Sequence, residues 1–233
     1  MVRKMKILVT GSQGQLANEL KIISLKNNDY DFSFLSKDEL DITDFNKLEK
    51  IISKNNFHAI INCAAFTNVR LAQIKKIKAD NVNNIGVQNI VNLCIKYNIK
   101  LIHISTDYVF DGTKNSKYLE SDTPNPINFY GLSKLRGEYH LLNSDLKNSI
   151  IVRTSWLYSS TKNNFVSKII EKIKCGKDFK VVENEFGSPT IASDLALALI
   201  QIIPKIKNIK PQIYNYSNSG VCSRYEFARE INF

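Results

Sequence analysis

A threonine at the end of a predicted strand and a tyrosine–lysine pair on a predicted helix are the residues of this chain best suited to acid–base chemistry. The apolar run 101–104 leads to Thr106 and predicts a buried parallel strand. Tyr130 and Lys134 are four residues apart, so a helix places them on one face, one turn apart. A lysine ammonium near a phenol favours the phenolate, which lets the tyrosine exchange a proton. These residues therefore predict a site for carbonyl–alcohol interconversion.

A second tyrosine–lysine pair of the same spacing, Tyr158 and Lys162, is interpreted as coincidental. The chain has 10 Tyr and 32 Lys plus Arg among its 233 residues, so chance alone gives about one such pair. Tyr158 closes a predicted strand over 150–157 and is followed by a polar loop, so Lys162 need not share its face. The first pair is preferred because of the elements that surround it.

A glycine-rich turn near the N-terminus predicts a dinucleotide site. An apolar strand over 6–10 is followed by the segment GSQGQLA (11–17), which opens a helix. Gly11 permits a tight turn, Gly14 lets the backbone approach a pyrophosphate, and Ala17 lets the helix pack on the strand. The phosphates would rest on the N–H groups of the helix N-terminus.

The residues after the second predicted strand bear on the choice of cofactor. An acidic residue at the end of strand 32–35 would accept a hydrogen bond from the ribose 2′-hydroxyl of NAD. This chain has Ser36 and Lys37 there instead, which suit a 2′-phosphate. We therefore expect NADPH, while the nearby Asp38 keeps NADH open as the alternative.

The alternation of strands and helices predicts an α/β fold, a Rossmann-type doubly wound parallel sheet with a small substrate-binding lobe. We expect a dinucleotide-binding domain over 1–155 and the lobe over 156–233. Other predicted elements are a helix over 45–52 with Asp44 as N-cap, a strand over 58–64, a helix over 80–97, a helix over 164–175, a strand over 179–182, a helix over 192–203 that packs back on the first domain, a strand over 212–216 and a last helix from about 223.

Composition narrows the classes of partner and site. The net charge is +10, but the lysines are dispersed and no nucleic-acid motif is present, so no nucleic-acid partner is expected. The charge is interpreted as a solvated, lysine-rich surface, from which an anionic small substrate and NADPH would benefit modestly. The four cysteines are widely spaced and predict free thiols, and the three histidines have no metal-ligand spacing, so no metal is expected. His103, inside a buried strand, is interpreted as a hydrogen-bonded core residue.

No apolar stretch approaches the roughly 20 residues that span a bilayer, and no targeting segment is recognised. We therefore expect a cytoplasmic protein without a membrane partner. The sequence does not decide whether the chain forms a homodimer.

Longer segments carry a more specific pattern: ILVTGSQGQLANEL, LDITD, NCAAFTNV, HISTDYVFDG, PINFYGLSKLRGE, RTSWLY, FGSPT and SGVCSRYEFARE. Together they resemble dTDP-4-dehydrorhamnose reductases of the extended short-chain dehydrogenase/reductase superfamily, over nearly the whole chain. The resemblance implies reduction of the 4-keto group of a dTDP-6-deoxy-hexulose by NADPH or NADH. That reaction belongs to dTDP-L-rhamnose synthesis for cell-surface polysaccharides.

The resemblance also implies roles for single residues. Tyr130 is expected to donate the proton, with Thr106 and Lys134 completing the catalytic site. The residues expected to contact the sugar nucleotide are Thr106, Asp107 and Trp156. The residues expected to hold the cofactor, including those of the glycine loop and Lys37, are Gly11, Gly14, Gln15, Leu16, Lys37, Asp41, Ile42, Ala64, Ala65, Phe66, Tyr130 and Lys134.

Trp156, the only tryptophan, follows a predicted strand end. There it would either stack on a sugar or base or pack as an aromatic between the two lobes, and the sequence leaves both interpretations open.

The chain departs from the family pattern in two places. Family members usually read VDKAE where this chain has VRLAQ (69–73), so two carboxylates are missing. They also continue for roughly another fifth of the chain, so we expect a substrate lobe without its last elements. Other interpretations stay open: a non-catalytic binding or regulatory subunit, as relatives form with methionine adenosyltransferase, or an inactive fragment of the same fold, or a sugar-nucleotide epimerase or 4,6-dehydratase. Dehydratases usually carry Asp-Glu after the threonine, and Asp107-Tyr108 here argues against dehydration.

Overall fold

A parallel sheet forms the centre of the computed structural model, which describes residues 4–160, 164–176 and 178–231. The strands are β1 (Met5–Thr10), β2 (Tyr30–Leu35), β3 (Ala59–Asn62), β4 (Lys100–Thr106), β5 (Ser149–Thr154), β6 (Leu157–Tyr158), β7 (Phe186–Gly187), β8 (Thr190–Ile191), β9 (Gln212–Tyr216) and β10 (Cys222–Ser223). The main sheet has the order β2-β1-β3-β4-β5-β9 with all neighbours parallel. This is the predicted doubly wound arrangement, in which ligands bind at the carboxyl ends of the strands.

Helices cover both faces of the sheet. Their bounds are α1 (Gln15–Ser24), α2 (Phe45–Asn55), α3 (Val69–Ile74), α4 (Lys76–Asp80), α5 (Gly86–Tyr97), α6 (Phe129–Leu142), α7 (Phe165–Lys174), α8 (Ala192–Ile202) and α9 (Arg224–Ile231). One apolar core joins the sheet to α1 and α8, and the other joins the sheet to α2 and α5. Helix α8, predicted over 192–203, thus packs on the sheet as expected. Asp44 caps α2 by accepting from the Lys47 N–H at 3.0 Å, which confirms the predicted N-cap. No helix within the described ranges is long and apolar enough to cross a bilayer.

The helix predicted over 80–97 is interrupted by a π-helical turn over Asn81–Ile85, so α5 begins only at Gly86. The turn directs the side chain of Asn83 inward, where it is completely buried. Its Oδ1 accepts from the Phe66 N–H at 2.8 Å, and its Nδ2 donates to the Phe66 carbonyl at 3.1 Å. An inward polar side chain explains the local widening of the helix, which apolar periodicity could not reveal.

Two predicted strands differ in the structure. The strand predicted over 150–157 is divided into β5 and β6, because Trp156 adopts a left-handed backbone with φ of 44°. The prediction of a strand over 179–182 is wrong. Phe179 and Val181 instead line an apolar cavity together with Ile173 of α7 and Ala228 of α9, so the apolar character of this segment reflects packing on helices.

Helix α6 lies close to the π-helical turn because Gly137 has no side chain. A Cβ atom at this position would lie 2.3 Å from the Asn83 carbonyl oxygen, a backbone atom that cannot turn away. The spacing between α6 and the turn is therefore set by this glycine.

We expect Gly137→Ala to lower the free energy of unfolding by about 1–3 kcal/mol, because the methyl group overpacks the contact with Asn83. Alanine normally stabilises a helix interior relative to glycine by about 1 kcal/mol, so the sign is opposite to that of helix propensity. Urea denaturation measures the change. Ser53→Ala, on the exposed face of α2, is the control and should stay within about 0.5 kcal/mol of the parent. Equal stability of both variants would contradict the steric argument.

Candidate active site

The predicted catalytic residues meet at the carboxyl ends of β4 and β5. Thr106 ends β4, and Asp107 begins the short 3₁₀ turn that follows. Tyr130 lies in the first turn of α6, where Asn128 caps the helix by accepting from the Gly131 N–H at 2.9 Å. Lys134 follows one turn later on the same helix. The structure therefore brings together the threonine, tyrosine and lysine that the sequence selects, while Lys162 of the second pair lies outside the described residues.

Tyr130 packs against Thr106 and Tyr108. The Tyr108 and Tyr130 rings meet edge to face with centroids 5.7 Å apart. Burial raises the pKa of Tyr130 above its ordinary value, and hydrogen bonding with Thr106 opposes this rise. The expectation that Lys134 keeps this pKa low is wrong, because burial is the largest effect and the charges that act on the phenol are those of Asp107 and Tyr108, which raise its pKa further. At neutral pH the phenol consequently keeps its proton, as a proton donor must.

Lys134 is buried, with 1% of its surface exposed. Its Nζ donates to the Ile104 carbonyl at 2.6 Å and lies 3.3 Å from Nε2 of His103. Burial lowers the pKa of Lys134 to about 8, although Glu138 and Cys63 raise it. The amine therefore titrates much closer to neutral pH than a surface lysine does.

A row of buried polar side chains crosses the sheet beneath the site. Thr10, Asn62 and His103 are register partners on β1, β3 and β4. Thr10 Oγ1 donates to Asn62 Oδ1 at 2.6 Å, and Asn62 Nδ2 lies 3.0 Å from His103 Nδ1. The interpretation of His103 as a hydrogen-bonded core residue is confirmed. Sequence reasoning missed Asn62. It could have been noticed as the polar residue that ends an otherwise apolar strand.

Helix α6 is tied to the sheet by an ion pair. Glu138 accepts from Arg153 of β5, with Nη2 at 2.6 Å and Nε at 3.0 Å, and from the Ser105 hydroxyl of β4 at 2.5 Å. The Arg153 and Glu138 side chains are 2% and 0% exposed. Sequence reasoning missed this pair too, because its members are separated by a loop and lie on different elements.

Asp107 and Trp156 lie near Arg224, a residue that sequence reasoning also missed. Burial raises the pKa of Asp107 to about 6, and the Arg224 charge opposes this. The Arg224 guanidinium stacks on the Trp156 indole at 3.5 Å from the ring centroid. A Cβ at Gly187 would lie 2.5 Å from the same indole. These contacts favour the interpretation of Trp156 as a packed aromatic between the lobes.

The glycine loop has the shape that a pyrophosphate needs. Gly11 has φ of 66°, and a Cβ there would lie 2.7 Å from the Ala64 backbone, so the end of β1 lies close to the chain after β3. Gly14 is the N-cap of α1 and supplies no side-chain cap. The first N–H groups of α1 are therefore left for an anionic ligand, so the backbone here fits the dinucleotide.

Two expected cofactor residues have side chains that face away from the site. Leu16 and Ile42 are 4% and 2% exposed and belong to the two apolar cores, so only their backbone atoms remain for a cofactor. The Gln15 side chain faces the start of α7, where its Oε1 accepts from Asn164 Nδ2 at 3.0 Å. Ala65 lies next to Ala64, and the Phe66 backbone is held by Asn83.

The loop after β2 presents both signs of charge. Lys37 is 61% exposed and lies 3.6 Å from the Asp41 carboxylate. Ser36 is buried and donates to Glu39 Oε2 at 2.7 Å, so its hydroxyl is already engaged. Lys37 is therefore the side chain of this loop that is best suited to a 2′-phosphate, while sequence reasoning missed Glu39.

Comparisons with known proteins give the family. The family model of the RmlD substrate binding domain matches residues 5–232. The dTDP-4-dehydrorhamnose reductase of Aggregatibacter actinomycetemcomitans is 39% identical, over 97% of this chain and 78% of the relative. The spore coat polysaccharide biosynthesis protein SpsK of Bacillus subtilis is 38% identical over the same shares. The crystal structure of dTDP-4-dehydrorhamnose reductase from Bacillus anthracis in complex with NADP has 37% identity and a TM-score of 0.91, covering 99% of this chain and 81% of that one. The chain therefore belongs to the RmlD family of NADPH-dependent dTDP-4-dehydrorhamnose reductases, as its sequence motifs predicted.

Proposed function

We propose that this chain reduces the 4-keto group of a dTDP-4-dehydro-6-deoxy-hexose, with the proton supplied by Tyr130. The observation that carries the proposal is the meeting of Thr106 and the partly buried Tyr130 at the carboxyl end of β4, with the raised pKa of the phenol keeping its proton in place. The membership in a family of sugar-nucleotide reductases supports the substrate class. NADPH, when bound, supplies the hydride.

The residues of the chain divide the remaining work. The glycine loop and the N-terminus of α1 would hold the pyrophosphate, with Lys37 at the 2′-phosphate and Lys134 at the nicotinamide ribose. As negative charge develops on the carbonyl oxygen of the sugar, Tyr130 donates its proton to that oxygen and Thr106 hydrogen-bonds it. Asp107 lies next to this threonine, 3.1 Å from its Oγ1, where it can accept from a sugar hydroxyl.

The proposal is tested by NADPH oxidation, followed by absorbance, with the 4-keto-6-deoxy sugar nucleotide generated in situ from dTDP-glucose. We expect NADPH consumption that depends on the sugar nucleotide. NADPH binding without turnover would contradict the proposal and favour a non-catalytic binding protein.

Tyr130→Phe should lower kcat by about 10²–10⁴-fold, because the proton donor is removed while the ring keeps its packing. NADPH affinity, measured by fluorescence titration, should change little. The matched control is Tyr158→Phe, in the second tyrosine–lysine pair, which should keep near-normal turnover. Equal activity of the two variants would remove Tyr130 from its role.

The pH dependence of kcat should follow Lys134. Below its pKa of about 8 the side chain is an ammonium that can return a proton to the site, and above it the side chain is a neutral amine. We expect kcat to be flat below about pH 7, one unit under this pKa, and to fall as pH rises through about 8. A kcat that rises through this range would contradict the assignment.

Lys37→Ala should raise the KM for NADPH by about five- to tenfold and leave the KM for NADH nearly unchanged, because a charge-assisted contact to the 2′-phosphate is lost. Lys54→Ala, on α2 at the far end from the site, controls for the loss of one surface charge. Equal effects on both cofactors would place the 2′-phosphate elsewhere.

A further inference from the structure

The hydrogen-bond row across the sheet determines which nitrogen of His103 carries the proton. Asn62 Oδ1 accepts from the Ala64 backbone N–H at 3.2 Å and from Thr10 Oγ1. A backbone N–H can only donate, so this atom is the amide oxygen and the neighbouring Nδ2 is the donor. His103 Nδ1, 3.0 Å from Nδ2, must then be an acceptor without a proton.

His103 is neutral as well, because it is fully buried and beside a lysine; both effects lower its pKa well below the ordinary value. A neutral imidazole carries one proton, and Nδ1 does not hold it. The proton is therefore on Nε2, which faces Lys134 Nζ at 3.3 Å. An N–H group thus meets the amine of the lysine.

The two protonation states of Lys134 differ in how they fit this contact. An ammonium has three N–H groups and no lone pair, so it meets the Nε2–H of His103 as donor against donor. A neutral amine accepts from Nε2–H and still donates to the Ile104 carbonyl, 2.6 Å away. The contact therefore favours the amine.

We propose that His103 is a positioning residue for the reaction, which acts through Lys134 by donating from Nε2–H and favouring the neutral form of that lysine. The inference rests on the proposed function for its role in turnover, but the contact itself does not. By stabilising the amine, the contact with His103 favours release of the Lys134 proton near neutral pH. That proton can then replace the one that Tyr130 gave to the substrate.

Other charged and titratable groups around Lys134 act in the opposite direction or are already paired. Glu138, one turn further along α6, favours the ammonium, but it is engaged by Arg153 and Ser105. The Cys63 thiol, after β3, would raise the lysine pKa only as a thiolate, and burial raises its own pKa, which keeps it neutral. Asp107, from the turn after β4, acts on the neighbouring Tyr130. Among the described residues, His103 is thus the hydrogen-bonding group placed to stabilise the amine.

The test compares three variants of the full chain by NMR, with ¹³C-labelled lysine and the Lys134 resonance identified by its loss in Lys134→Arg. His103→Phe removes the donor at similar volume and should raise the Lys134 pKa by about half a unit to one unit. Asn62→Leu frees Nδ1 to take the proton, so that Nε2 becomes an acceptor, and should raise the pKa as well. His103→Gln can accept from Asn62 and donate to Lys134, and should leave the pKa near that of the parent.

The pH profile of kcat gives the second readout. Its alkaline limb should move upward with His103→Phe and Asn62→Leu and stay in place with His103→Gln, a pattern that general destabilisation would not produce. An unchanged or lowered Lys134 pKa in His103→Phe would overturn the proposal; if that variant does not fold, Asn62→Leu decides by the same measurement. The NMR titration needs no substrate, so a chain without reductase activity would refute the proposed function and leave this inference to be judged separately.

Discussion

The ion pair between Glu138 and Arg153 is the constraint on which the geometry of the site depends. Removing one member of such a buried pair leaves an uncompensated charge, at a cost of about 3–5 kcal/mol. Because Arg153 belongs to β5 and Ser105 of β4 donates to the same carboxylate, the pair joins α6 to two neighbouring strands. Lys134 lies one turn before Glu138 on α6. By fixing α6 on the sheet, the ion pair also sets the distance from the Lys134 amine to the carbonyl of Ile104.

The sequence predicts what is encoded locally. The glycine loop, the cap at Asp44 and the helix that carries Tyr130 depend on residues within a few positions of one another. The meeting of site residues at one sheet edge follows from the parallel strand rule. The row of Thr10, Asn62 and His103 could not be predicted, because its bonds join residues 52 and 41 positions apart and require the strand register.

The differences from prediction have a common physical cause, in that a tertiary contact overrides a local preference. Asn83 turns inward to hold the Phe66 backbone, and the helix widens there. Trp156 takes a left-handed backbone while Arg224 and Gly187 pack on its ring. A bulky residue in that conformation costs free energy, which its packing must offset. The strain lies between β5 and β6.

The 69–73 segment contacts the start of α6 without a carboxylate. Gln73, where family members usually carry an acid, accepts through Oε1 from the Phe129 N–H at 3.1 Å, so it satisfies one of the free N–H groups at the start of α6. It does so without a negative charge, and the first turn of α6 contains no acidic residue. In the proposed reaction, the positive end of the helix dipole would favour the charge left on the Tyr130 phenol after proton transfer, against the opposing charge of Asp107. Gln73 thus makes its contact with α6 without a negative charge, which would oppose proton donation by Tyr130 in the proposed reaction.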